Sequence, residues 1–170
     1  GADQPPETQA LGWAIDRRLG NLGVTSSFFE PLLPTPDMAH GLAALIGEMR
    51  AGRVSTLVVI EANPVYASPH GAEFATMLAS VPLSLHCGLW HDETGRACRW
   101  HAPLAHPLES WSDGRAADGS VLIAQPLIRP LYPVRSPIVM VAALMGDPRA
   151  SDHAIVRETW QERWGTLDPK

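Results

Sequence analysis

Val54-Ser55-Thr56-Leu57-Val58-Val59-Ile60-Glu61-Ala62-Asn63-Pro64 decides the fold of this chain. Leu57 to Ile60 are apolar on consecutive residues, the pattern of a strand buried on both faces, as parallel sheets require. The run ends on an Asn63-Pro64 turn. Working outward, Asp37 can cap a preceding helix in which Met38, Leu42, Leu45, Ile46 and Met49 recur at intervals of three and four, and Gly52 ends it. On the other side, Ser68-Pro69 leads into a helix around residues 71–79, and Val81-Pro82-Leu83-Ser84-Leu85-His86 starts the next strand. Further upstream, Glu7 to Leu19 places Ala10, Leu11, Ala14, Ile15 and Leu19 roughly on one helical face, with Arg17 and Arg18 where cations suit the helix dipole. Gly20 and Gly23 stop that helix, and Val24 to Phe29 reads as a strand, followed by a Pro-rich loop over residues 31–36. The succession helix–strand, three times over, predicts an α/β fold with a mostly parallel sheet flanked by helices.

Beyond Asp92 the periodicity weakens. Ala102 to Leu104 reads as a short strand, Trp111 to Gly119 as a polar loop, and Val121 to Ile128 as a strand broken by Pro126. Residues 136–165 form a helical C-terminal segment, its second helix carrying Ile155, Val156, Trp160 and Trp164 on one side. A chain of 170 residues is about one domain's worth, so a single α/β domain over residues 1–170 is expected. The start, Gly1-Ala2-Asp3-Gln4-Pro5-Pro6, lacks both an initiator Met and a signal pattern, which predicts a piece of a longer polypeptide.

Composition narrows the function. Hydrophobic residues at 45% against 18% charged describe a globular chain. A formal charge of −5 supplies no electrostatic footprint for a phosphate backbone, so nucleic acid is not an expected partner. No apolar run approaches the ~20 residues that span a bilayer, so no direct membrane insertion is expected. The two cysteines, Cys87 and Cys98, are too few for an iron–sulfur cluster, which usually takes four thiolates; one disulfide between them is compatible with an exported protein.

His86, Cys87, His91, Cys98, His101 and His106 crowd one stretch, and zinc accepts such ligands. Their spacings fit no finger or ribbon pattern, so they are read as packing residues and local hydrogen-bonders, with a zinc site on Cys87, His91, Cys98 and His101 as the weaker alternative. His106 with Glu109 or Asp113 resembles an acid–base pair, yet no nucleophile elbow or His-Glu-x-x-His helix accompanies it; no catalytic residue and no metal ligand is assigned. Glycine-rich phosphate loops are also missing. What remains is Glu61-Ala62-Asn63-Pro64 at the carboxyl end of the best strand, the edge where open parallel sheets bind ligands. Phe28-Phe29-Glu30 and the stretch from His86 to Thr94 could reach the same edge. Turn chemistry alone also explains Asn63-Pro64.

Several runs occur here in the order they have in a known family. They are Leu19-Gly20-Asn21-Leu22-Gly23, Ile60-Glu61-Ala62-Asn63-Pro64-Val65-Tyr66, Asp92-Glu93-Thr94, Leu104 through Trp111, and Asp118 through Gln125. In that order they resemble the molybdopterin oxidoreductases, over about Leu11 to Pro133, and Ile155 to Trp160 resembles the family too. The likeness is greatest to the molybdopterin-like iron–sulfur subunits of quinol:cytochrome c oxidoreductases of the alternative complex III type. This resemblance implies a Rossmann-like domain of a much larger subunit.

In cofactor-bearing relatives such a domain holds one guanosine end of a molybdopterin guanine dinucleotide. By that likeness the cofactor-binding positions are Asn63 and Pro64 on the diphosphate, with His86, Asp92 or Thr94 near the base. Two departures count against bound cofactor. The Gly-Gly usual before Asn-Pro is Glu61-Ala62, a carboxylate beside a would-be diphosphate, and the stretch that carries a guanine-reading acid is His86-Cys87-Gly88-Leu89. The resemblance therefore implies a scaffold domain with no cofactor in this chain, its iron–sulfur clusters lying elsewhere in the parent protein, with Trp90, Trp100 and Trp111 able to fill the vacated cleft. The isolated chain would be inactive. It also implies partners among the other domains of the same polypeptide and the subunits of a membrane-bound respiratory complex, on the periplasmic side of the inner membrane. A true molybdopterin guanine dinucleotide-binding domain of a molybdenum reductase or dehydrogenase is the alternative.

Overall fold

The computed structural model describes residues 4–28, 41–116, 120–148 and 150–165. The chain divides into two compact units, one of residues 1–35 with 115–120, the other of residues 36–114 with 121–170. In the first unit, helix α1 (Pro6–Arg18) opens with proline at its first turn and closes on Arg17 and Arg18, as the dipole favours. Its apolar residues find no core: none is buried, and Leu11, Ile15 and Leu19 are more than half exposed. The strand expected at residues 24–29 does not form over its described part. Instead the Asn21 carbonyl accepts the amides of Val24, Thr25 and Ser26, while Asp16 accepts Asn21 Nδ2 and Ser26 Oγ, each at 3.0 Å. This local side-chain network outcompetes a ladder. Asp37, Met38 and the loop over residues 31–36 lie outside the described residues.

The second unit carries the sheet. Helix α2 (Leu42–Arg50) leads to β1 (Thr56–Ile60), α3 (Pro64–Ala67), α4 (Gly71–Leu78), β2 (Leu83–Gly88), α5 (Glu93–Ala97) and β3 (Trp100–Pro103). The three strands are parallel in the order β1-β2-β3, with Val59 opposite His86 and His86 opposite His101. The α/β expectation holds. Gly52, at φ +70°, supplies the left-handed residue that ends α2. Leu57 and Val59 face Ile46, Met49, Phe74, Leu78 and Val81, and this one face of the sheet carries the core.

The other face corrects the reading of β1 as buried on both sides. Val58 and Ile60 are only partly buried, Leu83 and Trp100 are 44% and 66% exposed, and among the described residues β1 is an edge strand. Only Val59 of β1 is fully buried. The polar loop expected over residues 111–119 also needs correction, because Ser112–Arg115 is strand β4, which pairs β5 (Val121–Ala124) in a two-stranded sheet. β5 stops before Pro126, as expected from a residue that cannot donate to the ladder. Helices α6 (Pro137–Leu144) and α7 (Asp152–Trp164) complete the chain, with Val156 and Trp160 buried. Trp160 Nε1 donates to Asp113 at 2.8 Å, which ties α7 to β4. No helix among the described residues is long and apolar enough to cross a membrane.

Gly71 begins α4 against the preceding turn, and a Cβ there would fall on the Val65 carbonyl, inside contact distance. Gly71→Ala is therefore expected to lower stability by about 1–3 kcal/mol, because the obstacle is backbone and cannot swing aside. Urea unfolding checks this as a lower midpoint with an unchanged slope.

Candidate functional site

The carboxyl ends of β1 and β2 meet at two turns, and Asn63 joins them. Its side-chain oxygen accepts the Thr94 hydroxyl at 2.7 Å and the Thr94 amide at 3.3 Å, and also caps α3 by accepting the Tyr66 amide at 3.4 Å. Its amide nitrogen donates to Glu93 Oε2 at 2.8 Å. Thr94, fully buried, in turn accepts the Val65 amide at 3.2 Å. Pro64 starts α3, where its missing N–H costs nothing. Asp92 caps α5 through the Gly95 amide at 2.8 Å. The bond from Asn63, with the Glu93 backbone amide, holds the exposed Glu93 carboxyl below its ordinary range.

Beneath this clasp lies a group of imidazoles. His86, 1% exposed, has Nε2 at 3.2 Å from the Ala62 carbonyl and Nδ1 at 3.0 Å from His101 Nδ1. A carbonyl only accepts, so in its neutral form His86 carries its proton on Nε2, and His101 donates to the bare Nδ1. The His86 and His101 rings stack at 5.1 Å, and His91 leans on His101 at 5.0 Å. Asp92 Oδ1 is 3.7 Å from His86 Nε2. Glycines make the room: a Cβ on Gly88 would lie 2.6 Å from His86, and one on Gly95 would lie 3.0–3.2 Å from all three rings. Desolvation first, then His86 and His91, lower the His101 pKa against the opposing pull of Asp92.

The structure thus brings Asn63, Pro64, His86, Asp92 and Thr94 together at one edge, and it also shows what occupies them. The cysteines do not join the imidazoles as a metal site. Cys87 alternates to the opposite sheet face from His86, Cys98 packs beside the core, and both thiols are free, with burial raising their pKa. Among the described residues no three His, Cys, Asp or Glu side chains could hold a metal ion. His106 and Glu109 form a capping box: His106 Nδ1 accepts the Leu108 amide and Glu109 accepts the His106 amide, while Asp113 is taken by Trp160. Reading the sequence missed the His86–His101 pair. Both residues stand in the His/Cys-rich stretch, but only the β2–β3 register sets them side by side.

The opening at this edge holds about 250 Å³, lined by Glu61, Asn63, His86, Trp90 and Asp92 among others. Pockets that bury drug-sized ligands run to roughly 300–1,000 Å³. Of the three tryptophans expected near the cleft only Trp90 lines it; Trp100 pairs with Leu85 on the other sheet face. Glu61 holds a left-handed backbone, φ +53°, which glycine adopts freely and a glutamate adopts at a cost. A diphosphate does not fit these residues: Asn63 is bonded on both sides of its amide, His86 and Thr94 are sealed in, and Glu61 and Asp92 repel phosphate oxygens.

No protein-family model matches the chain. Over 94 residues, 53% of this chain, it is 33% identical to the menaquinone reductase, molybdopterin-binding-like subunit of Nitratidesulfovibrio vulgaris (strain Hildenborough). The chain spans 14% of that relative's length. The likeness is to a molybdopterin-related oxidoreductase subunit and does not single out a particular complex.

Two expectations follow from the edge. Thr94→Val keeps the shape but strips the hydroxyl that both Asn63 and the Val65 amide use, and is expected to cost about 1–3 kcal/mol in denaturant unfolding. For His101, a lowered pKa means that the unfolded chain binds more protons than the folded one. Its stabilising contribution is therefore complete above the ordinary imidazole value of about 6.5 and is lost as pH falls below it. Melting curves across this range are expected to show a fall in midpoint on acidification, and His101→Asn is expected to flatten it.

Proposed function

We propose that this chain is a scaffold domain of a molybdopterin-oxidoreductase-like iron–sulfur subunit, part of a respiratory electron-transfer complex that oxidises quinol, and not catalytic by itself. The observation that carries this reading is the use of Asn63: both atoms of its amide are bonded within the fold, at the position where a diphosphate-binding relative needs them free. The small, acid-lined opening supports the same reading. The chain holds no cofactor; the clusters of the parent protein lie in other domains.

Its contribution is docking surface. Leu127, Leu131 and Tyr132 are each more than 70% exposed, and the second face of the parallel sheet is half open. Apolar surface of this kind marks contact with other protein. The occupants are the other domains of its own polypeptide and neighbouring subunits on the periplasmic side of the inner membrane, through which it is membrane-associated.

Calorimetric titration of the chain with guanosine diphosphate tests the cofactor-free reading. No saturable heat is expected at millimolar nucleotide. Saturable binding that disappears in Asn63→Ala would replace the scaffold with a genuine molybdopterin guanine dinucleotide-binding domain.

A further inference from the structure

A cavity of about 650 Å³, open to solvent, lies in the second unit away from the Asn63 edge. Its floor is a strand-to-helix turn. Arg135 bridges Leu104 as a parallel partner, and its carbonyl accepts the Ala105 amide at 2.8 Å, so the backbone at residue 135 continues the sheet beyond β3. The next residue, Ser136, is the N-cap of α6, but its side chain makes no capping bond. With Pro137 at the first position, the amides of Ile138 and Val139 lack the side-chain cap that ordinarily satisfies one of them. Ser136 is 4% exposed, lines the cavity, and its buried hydroxyl has no hydrogen-bond partner. Buried hydroxyls nearly always have one.

The unpartnered polar groups point to the class of ligand. Arg129 and Arg135 both line the cavity, and neither guanidinium is ion-paired among the described residues. Two carboxylates line it as well, and both are bonded to backbone amides: Glu109 to His106 and Leu131, each at 3.0 Å, and Asp152 to Trp111 at 3.0 Å and His153 at 2.8 Å. Those amides hold the Glu109 carboxyl below its usual range. Both carboxylates stay charged, so they offset the two guanidiniums in the lining; the groups without a partner among the described residues are donors, namely the two guanidiniums, the helix N-terminus and the Ser136 hydroxyl. A bare phosphate fills only part of the space, and Ile128, Val139 and the Trp111 ring offer apolar wall for an organic portion.

We propose that this cavity binds the phosphoryl group of a small phosphate monoester, held by Arg129 and Arg135 and seated over Ser136 at the start of α6. Fork-shaped guanidiniums suit phosphate oxygens, and the helix N-terminus favours negative charge. The site shares no residue with the Asn63 edge, so it stands or falls independently of the scaffold reading.

Titration of the 170-residue chain with phenyl phosphate and with inorganic phosphate, followed by backbone NMR shifts and by calorimetry, tests the site. Saturable shifts confined to residues around 135–139 and 150–152 are expected, with phenyl phosphate binding more tightly than inorganic phosphate. Arg135→Gln is expected to weaken phenyl phosphate about tenfold or more, the worth of one charge-assisted hydrogen bond. Ser136→Ala, which removes no capping bond, is expected to weaken it with the fold intact. Failure of either probe to saturate, shifts scattered over the surface, or affinity that survives the loss of Arg129 and Arg135 together would overturn the proposal.

Discussion

The acceptance of the Thr94 hydroxyl by the Asn63 side chain, at 2.7 Å, is the constraint on which the carboxyl edge of the sheet depends. Parallel strands leave their ends to turns that lack ladder bonds, and buried backbone groups there need side-chain partners. One asparagine answers for both turns. It caps α3 after β1 and holds the first residues of α5 after β2, while Thr94 hands the Val65 amide a further acceptor. With the turns clasped, His86 is sealed under the Ala62 carbonyl, and its remaining nitrogen is committed to His101 on β3. Hydrogen bonds thus run across the ends of all three strands.

That arrangement has a chemical consequence. An edge built to receive an anionic ligand keeps its donors free and its carboxylates distant. Here the donors are consumed and Glu61 stands in the opening with a backbone conformation suited to glycine. The cavity over α6 differs in its donors: among the described residues the Ser136 hydroxyl and two arginines have no partner there, beside two carboxylates bonded to amides.

Much of the fold was legible because the signals are local. Leu57 to Ile60 gave β1, the three- and four-residue spacing gave α2, and the segment read as helical over residues 136–165 holds α6 and α7. Two failures share a physical origin. Residues 24–28 carry strand propensity, but Asp16 and Asn21 bond the chain into a turn, a contact that depends on α1 ending where it does. Ser112 to Arg115 has the composition of a loop, yet pairs with β5, since two-stranded pairing depends on the partner more than on intrinsic preference. The all-apolar β1 run was read as burial on both faces; it records instead a face the described residues leave half covered.

The candidate site was legible as a set of positions and not as a set of roles. Asn63, Pro64, His86, Asp92 and Thr94 are all at one edge, because a strand followed by a turn and a helix puts its conspicuous residues there in any parallel sheet. Whether such residues face a ligand or each other is decided by ångström-scale geometry between segments some thirty residues apart. Register settles it for the histidines as well. In the sequence His86 and His101 are two members of a crowd that includes both cysteines; in the sheet, the period of two turns Cys87 away and leaves imidazole facing imidazole, with Gly88 and Gly95 clearing the space. Small residues beside buried rings are therefore the part of this pattern that carries information. A side chain at Gly95 would meet all three imidazoles, so the glycine marks the packed cluster in a stretch whose residue types alone left zinc as the weaker alternative.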